Sequence, residues 1–176
     1  MGEAAPWPGL TTQRLTLRGL RGGDAPRMAV LVNDFDIARM TTSIPYPFAV
    51  GHAEDFIARM ERRDRDREAV FAVETADDGL IGVVGLHPGP AGTEIGYWLG
   101  RSFWGRGYAT EASAAVLTWA HADWGRRFIA SGHFADNPAS GQVLCKAGFL
   151  YTGDVAPRYS VARGEEAPTR MMVWLA

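Results

Sequence analysis

Charged, apolar, polar, apolar and charged residues follow one another from Arg14 to Arg18, the period-two pattern of a strand with one buried face. The period then lengthens. Asp24 stands where it can cap a helix carrying Met28, Leu31 and Val32, and Ala53, Phe56, Ile57 and Met60 recur at i, i+3, i+4 and i+7 in a second helix. Between the two lies Ile44-Pro45-Tyr46-Pro47-Phe48. Its prolines push each preceding residue toward extended backbone, so the segment reads as an apolar, partly stiff loop able to cover a cleft. The mixed charges from Glu61 to Glu68 read as the exposed end of the second helix.

Ala69 to Glu74 and Leu80 to His87 are β-rich runs either side of Asp78-Gly79, a hairpin pattern, and Thr93 to Leu99 adds a strand. Tyr108, Ala112, Ala115, Val116 and Trp119 then stripe one face of a helix that ends near Gly125, and Arg127 to His133 returns to strand. Strand, helix and strand in that order predict a parallel pair joined by a right-handed crossover, and the functional site belongs there. Asn137-Pro138 opens a last helix with a capping side chain and a proline at the first helical position. Ser140, Val143, Leu144 and Ala147 share a face of it, and Gly148 terminates it. Phe149 to Thr152 and Thr169 to Leu175 read as the final strands, joined by a polar loop holding Arg158, Arg163, Glu165 and Glu166. Residues 1–10, with two prolines and two glycines, read as an N-terminal tail from which Trp7 can still dock, and residues 11–176 as a single domain.

Composition narrows the partners. The chain has 176 residues, 47% of them hydrophobic, enough for one buried core. A net charge of -2 leaves no excess of Lys and Arg to neutralise a run of phosphates, so nucleic acid is not expected as a partner. No basic start precedes an apolar run, and no stretch approaches the roughly 20 apolar residues of a membrane helix, so a cytoplasmic protein without a membrane partner is expected. Cys145 is the only cysteine, and His52, His87, His121 and His133 show no ligand spacing, so neither disulfide nor metal is expected.

The chemistry concentrates between Glu94 and Ala112, where a strand ends, a glycine-bearing loop turns and a helix begins. Gly105 and Gly107 carry no side chains, so the N–H groups of Gly105 to Ala109 can approach an anion such as a pyrophosphate at the positive end of the helix dipole; the bland alternative is a tight strand-to-helix turn. A Rossmann dinucleotide site is disfavoured, because Thr110 stands where the third glycine belongs.

Gly-Tyr-Trp-Leu (96–99) followed by Trp104-Gly-Arg-Gly-Tyr-Ala-Thr-Glu-Ala112 resembles the acetyl-coenzyme A loop of the GNAT superfamily in its RimJ/RimL-type branch. Thr12-x-Arg14-Leu-x-Leu-Arg18, Ile44-Pro-Tyr-Pro and Asn137-x-x-Ser140-x-x-Val-Leu-x-Lys146-x-Gly-Phe149 agree in order, so the resemblance spans nearly the whole chain. It implies an α/β (α+β) GNAT fold, a mixed and mostly antiparallel sheet with two splayed central parallel strands, flanked by about four helices. It also implies an N-acetyltransferase that takes acetyl-coenzyme A as co-substrate, without a metal, and admits a homodimer. Its acceptor would be a protein N-terminal α-amine, as in ribosomal-protein acetylation; a small amine such as an amino acid, antibiotic or polyamine is the alternative. A non-catalytic acyl-coenzyme A sensor is the rival from another class. By the resemblance, Trp98, Leu99, Trp104, Gly105, Arg106, Gly107, Tyr108, Ala109, Thr110, Asn137, Ser140 and Lys146 contact the cofactor.

Two positions depart from the family pattern. Ser102 replaces a Gln or Arg often found three residues before the loop's first glycine, and Leu144 stands where many members carry the tyrosine that protonates the departing thiolate. The RimJ/RimL-type branch often carries a serine at the position of Ser140, and the resemblance makes that serine the natural substitute as acid. Acyl transfer also needs a neutral amine and a stabilised oxyanion. Glu94 is the candidate base, directly or through water, or else an exposed strand-end carboxylate. Amides near Trp98 and Leu99 would hold the thioester oxygen. Tyr46 and Phe48, with Glu94, are candidates to line the acceptor site, although aromatic residues in such a loop also pack onto their own domain. Cys145 beside Lys146 is a weaker candidate for an acetyl-cysteine intermediate.

Overall fold

In the computed structural model, which describes residues 7–176, eight strands among the described residues form one mixed sheet in the order β1-β2-β3-β4-β5-β6-β8-β7. They are β1 (Leu10–Thr11), β2 (Thr16–Gly19), β3 (Ala69–Thr75), β4 (Gly79–Gly89), β5 (Gly92–Leu99), β6 (Phe128–Phe134), β7 (Leu150–Ser160) and β8 (Glu165–Leu175). Helices α1 (Ala25–Val32), α2 (Phe35–Ala38) and α3 (Val50–Glu61) precede β3, α4 (Tyr108–Ala122) joins β5 to β6, and α5 (Pro138–Lys146) joins β6 to β7. None of these helices is long and apolar enough to cross a membrane.

The two faces of the sheet carry separate cores, as alternating strand side chains require. On one face Leu17, Phe71, Val84, Leu86 and Ile95 pack with Val116, Leu117 and Ala120 of α4 and with Leu144 of α5. On the other, Val70, Ala72, Leu80 and Val83 pack with Met28 of α1 and with Ala53, Ile57 and Met60 of α3. Pairing is antiparallel throughout except between β5 and β6. Among the described residues that parallel pairing is confined to Glu94 opposite Ala130, so the two strands part beyond their first residues. The α4 crossover between them is the one the strand-helix-strand pattern predicts.

Several local expectations need correction. Asp24 occupies the N-cap of α1, but its carboxylate makes no cap there: it accepts from the Arg21 amide at 2.8 Å and from both terminal nitrogens of Arg18 at 2.7 and 2.8 Å. Helix α3 stops at Glu61, and the charged run after it is not a freely solvated helix end. Arg63 donates to the Met60 and Glu68 carbonyls, and the Arg63 and Arg65 guanidinium groups lie over the Trp7 ring. Trp7 itself meets Phe71 and Trp119 with ring centroids 5.9 and 5.2 Å apart, so part of the segment before residue 11 sits on the core. Strands β7 and β8 extend much further than the sequence indicates. Gly153, Asp154 and Pro157 suggest a loop, yet the register shifts between Tyr151 and Val155 and the strand resumes, with Pro157 tolerated because β7 is the sheet edge. Arg158 therefore lies on a strand, not in a loop.

Candidate functional site

The gap between β5 and β6 is flanked by the glycine loop. Gly105 and Gly107 adopt φ of 72° and 79°, left-handed values that a side chain strains, and Gly107 is the N-cap of α4 with no side chain to cap it. The first-turn amides of a 15-residue helix thus depend on an outside acceptor, and an anion is the natural one. The Thr12-x-Arg14 motif braces this loop. Glu111, in the first turn of α4, accepts from the Thr12 hydroxyl at 2.6 Å, the Arg14 amide at 2.9 Å and Arg14 Nε at 2.7 Å, while Arg14 Nη1 donates to the Arg106 carbonyl at 2.8 Å. Burial pushes the Glu111 carboxyl up, but these partners outweigh it and hold it below the usual range. Arg14 also lies over the Tyr108 ring at 4.7 Å.

Upstream, Trp104 is exposed and its Nε1 donates to the Leu99 carbonyl at 2.8 Å, tying the loop to the end of β5. Ser102 lies exposed in a short 3-10 turn, and Arg106 is exposed with its guanidinium over Phe103. Trp98 packs toward the α1/α3 core and Leu99 toward the α4 core. A Cβ on Gly82 of β4 would stand 2.2 Å from the Trp98 carbonyl oxygen, so glycine there is what lets β5 run as it does at this point.

Glu94 is neither exposed nor at a free strand end. It is buried, at 7% exposure, and Arg158 grips it from β7 with Nη2 to Oε1 at 2.9 Å and Nη1 to Oε2 at 3.2 Å. Gly89 makes room for it, since a Cβ there would lie 2.3 Å from the Glu94 Cδ. His87 stands directly opposite Glu94 on β4 and was not singled out by sequence. Burial pushes its imidazole below its ordinary value, with Glu94 opposing, so the ring is neutral near pH 7.

Across the gap, α5 begins as its sequence predicts. The Asn137 Oδ1 accepts from the Ser140 amide at 3.3 Å, and Ser140 Oγ lies 2.8 Å from the hydroxyl of Tyr97, whose O–H also reaches the Ser140 carbonyl at 3.2 Å. A tyrosine therefore does stand at the first turn of α5, supplied by β5 and not by position 144. Leu144 is fully buried core. Sequence reading missed Tyr97 because nothing in strand spacing tells that its ring ends on a serine 43 residues away.

Other candidates lie elsewhere. Lys146 and Cys145 are exposed on a different face of α5 from Ser140, lining a hollow with His133, Tyr151 and Arg170. Tyr46 is exposed on its loop against the Phe35 ring, while Phe48 packs on His52 and toward the α1/α3 core. No group of three His, Cys, Asp or Glu side chains among the described residues forms a metal site.

Residues 14–150 match the acetyltransferase (GNAT) domain. The uncharacterized N-acetyltransferase YoaA of Bacillus subtilis (strain 168) is 26% identical over 94% of this chain and 95% of its own. The ribosomal-protein-serine acetyltransferase of Escherichia coli (strain K12) is 37% identical over 44% of this chain and 45% of its own. Among solved structures, Mycobacterium smegmatis RimJ in complex with CoA-disulfide superposes with a TM-score of 0.83 at 22% identity, covering 97% of this chain and 88% of that one.

Proposed function

Starting from the fact that this chain belongs to the GNAT acetyltransferase family and is an acetyl-coenzyme A-dependent N-acetyltransferase, we propose that its acceptor is the N-terminal α-amine of a protein and that attack on the thioester is direct. Gly105 to Ala109 at the mouth of α4 hold the pyrophosphate, with Trp104, Arg106, Tyr108 and Thr110 around it and Asn137 beside the pantetheine arm. Lys146, lying on another face of α5 from Ser140, serves the outer end of the cofactor. Backbone amides at Trp98 and Leu99 face the thioester oxygen, where negative charge grows as the amine attacks. Glu94 takes the proton of the acceptor ammonium, and Ser140 supplies a proton to the leaving thiolate. Tyr46 and Phe48 border the acceptor's entry. The reading of a protein acceptor is supported by the ribosomal-protein acetyltransferase named among the relatives.

The observation that carries the catalytic reading is the parting of β5 from β6 directly beside an uncapped, glycine-led helix N-terminus, with Glu94 and Ser140 on opposite sides of the opening. The test is thiol release from acetyl-coenzyme A with a peptide bearing a free N-terminal serine or alanine, the same peptide already acetylated, and spermidine. Release with the free peptide alone, together with one acetyl group on the product, is expected. Release with spermidine alone would move the acceptor to small amines, and saturable binding without release above hydrolysis would make the chain a sensor. Gly107→Trp, which places a bulky residue at a left-handed position on the loop, is expected to abolish cofactor binding in calorimetry. Normal binding by that variant would overturn the loop assignment.

A further inference from the structure

Ser140 as the acid has a physical weakness: an alkyl hydroxyl standing alone is a poor proton donor. The structure does not leave it alone. Tyr97 comes from β5 and Ser140 from the helix that follows β6, so the contact between their hydroxyls at 2.8 Å spans the opening where the two parallel strands part. Tyr97 carries one phenolic proton and has two acceptors within reach, the Ser140 Oγ at 2.8 Å and the Ser140 carbonyl at 3.2 Å. If the phenol donates to the carbonyl, the serine proton points at the phenol oxygen and is lost to catalysis. If the phenol donates to Oγ, the serine proton is free to turn toward the opening.

We propose that Tyr97 is a positioning residue that donates its hydrogen bond to Ser140 Oγ and so aims the serine O–H at the sulfur of coenzyme A. This rests on the reading of Ser140 given above. As charge collects on sulfur, the Ser140 O–H gives it a hydrogen bond, and the Tyr97 O–H stabilises the electron density drawn onto Oγ. Chains of hydrogen bonds strengthen one another in this way at low local dielectric. The tyrosine keeps its own proton. Burial, opposed by the Ser140 hydrogen bond, pushes the phenol up to about 12, which suits a fixed donor and not a group that ionises. The Asn137 side chain, accepting from the Ser140 amide, holds the serine backbone while Tyr97 sets its hydroxyl.

The test needs no acceptor. Coenzyme A and desulfo-coenzyme A, which has hydrogen in place of the thiol, are titrated into the chain by calorimetry at pH 10, where an alkyl thiol, a weaker acid than a cysteine side chain of ordinary pKa about 8.5, is ionised to a large extent. A hydrogen bond to the thiolate predicts that the unmodified chain prefers coenzyme A by about tenfold. Ser140→Ala is expected to erase the preference, and Tyr97→Phe to bring it within about twofold of the Ser140→Ala value, with no further loss in the double variant. A residue that merely props α5 against β5 would weaken both ligands equally and leave their ratio unchanged. That outcome for Tyr97→Phe, with Ser140→Ala still erasing the preference, overturns the proposal and spares the reading of Ser140. Retention of the preference by Ser140→Ala overturns both. Replacing Tyr97 with 3-fluorotyrosine, which keeps the ring and its O–H, is expected to retain the preference. It also serves where Tyr97→Phe fails to fold, and loss of the preference in this variant counts against the proposal.

Discussion

Glu94 and Arg158 form a buried ion pair, so the carboxylate proposed as the base also belongs to the fold. The guanidinium keeps the carboxylate buried without leaving a charge unpaired, and Gly89 beneath it gives the side chain its room. Glu94→Gln retains an oxygen for Arg158 and should leave the fold intact while removing the base. Transfer to a peptide α-amine, whose ordinary pKa is about 8, is then expected to fall by roughly a hundredfold at pH 7 and to recover above pH 8, where the amine sheds its proton unaided. A pH-rate profile of the variant checks this, and a defect that is constant from pH 7 to 9 would remove Glu94 from proton transfer. The motif Thr12-x-Arg14 likewise proves to be a brace, because both residues converge on Glu111 and the loop that it supports. Its spacing was visible in the sequence; its partner, 97 residues on, was not.

At the scale of elements, the β7–β8 hairpin is fastened across the molecule. Arg163, in its turn, donates to Asp136 at 2.8 Å through each of two nitrogens and to the Arg39 carbonyl at 2.6 Å, and the Val161 amide donates to the Thr42 carbonyl at 3.0 Å. The turn is thereby tied both to the corner before α5 and to the segment after α2. Arg101 extends the chain of charges, bonding Asp34 and Asp36 from the turn before the glycine loop. Arg163→Ala is expected to raise amide hydrogen exchange at residues 39–44 and 160–165 while leaving β3 and β4 protected, since three loops lose a common partner and the central sheet loses none. Unchanged exchange in both segments would show that the backbone bond from Val161 suffices. These strands illustrate why element boundaries escaped the sequence: glycine, aspartate and proline suggest a turn, and only pairing with β8 tells a bulged edge strand from a loop.

Over the whole molecule, buried and paired titratable groups set how stability responds to acid. Burial holds His87 below its ordinary value in the fold, so the unfolded chain binds that proton more readily and stability begins to fall as pH drops below about 6.5. Burial of Asp24 favours its neutral form, but Arg18 and the Arg21 amide outweigh it and depress the carboxyl. Arg163 does the same for Asp136. Their stabilisation is full above the ordinary carboxylate range and is lost as pH falls from about 4 through their depressed values. Denaturant titrations from pH 8 to 3 should therefore show two declines, with His87→Phe removing the upper one; a flat profile between pH 7 and 5 would contradict the assignment to His87. The sequence by itself determined the order of the longer strands and helices, though not the short β1 and α2, together with the crossover at α4, the glycine loop and the cap of α5, because periodicity, backbone freedom and capping act within a few residues of one another. The family resemblance already implied two splayed parallel strands; tertiary structure alone decided that they part after the Glu94–Ala130 pair, that Arg158 reaches Glu94, that His87 faces it and that Tyr97 meets Ser140. Apart from His87 and Glu94, which face each other across the β4–β5 hairpin, those contacts join positions distant in the chain, and no local preference encodes which side chains the folded sheet will bring within hydrogen-bond reach.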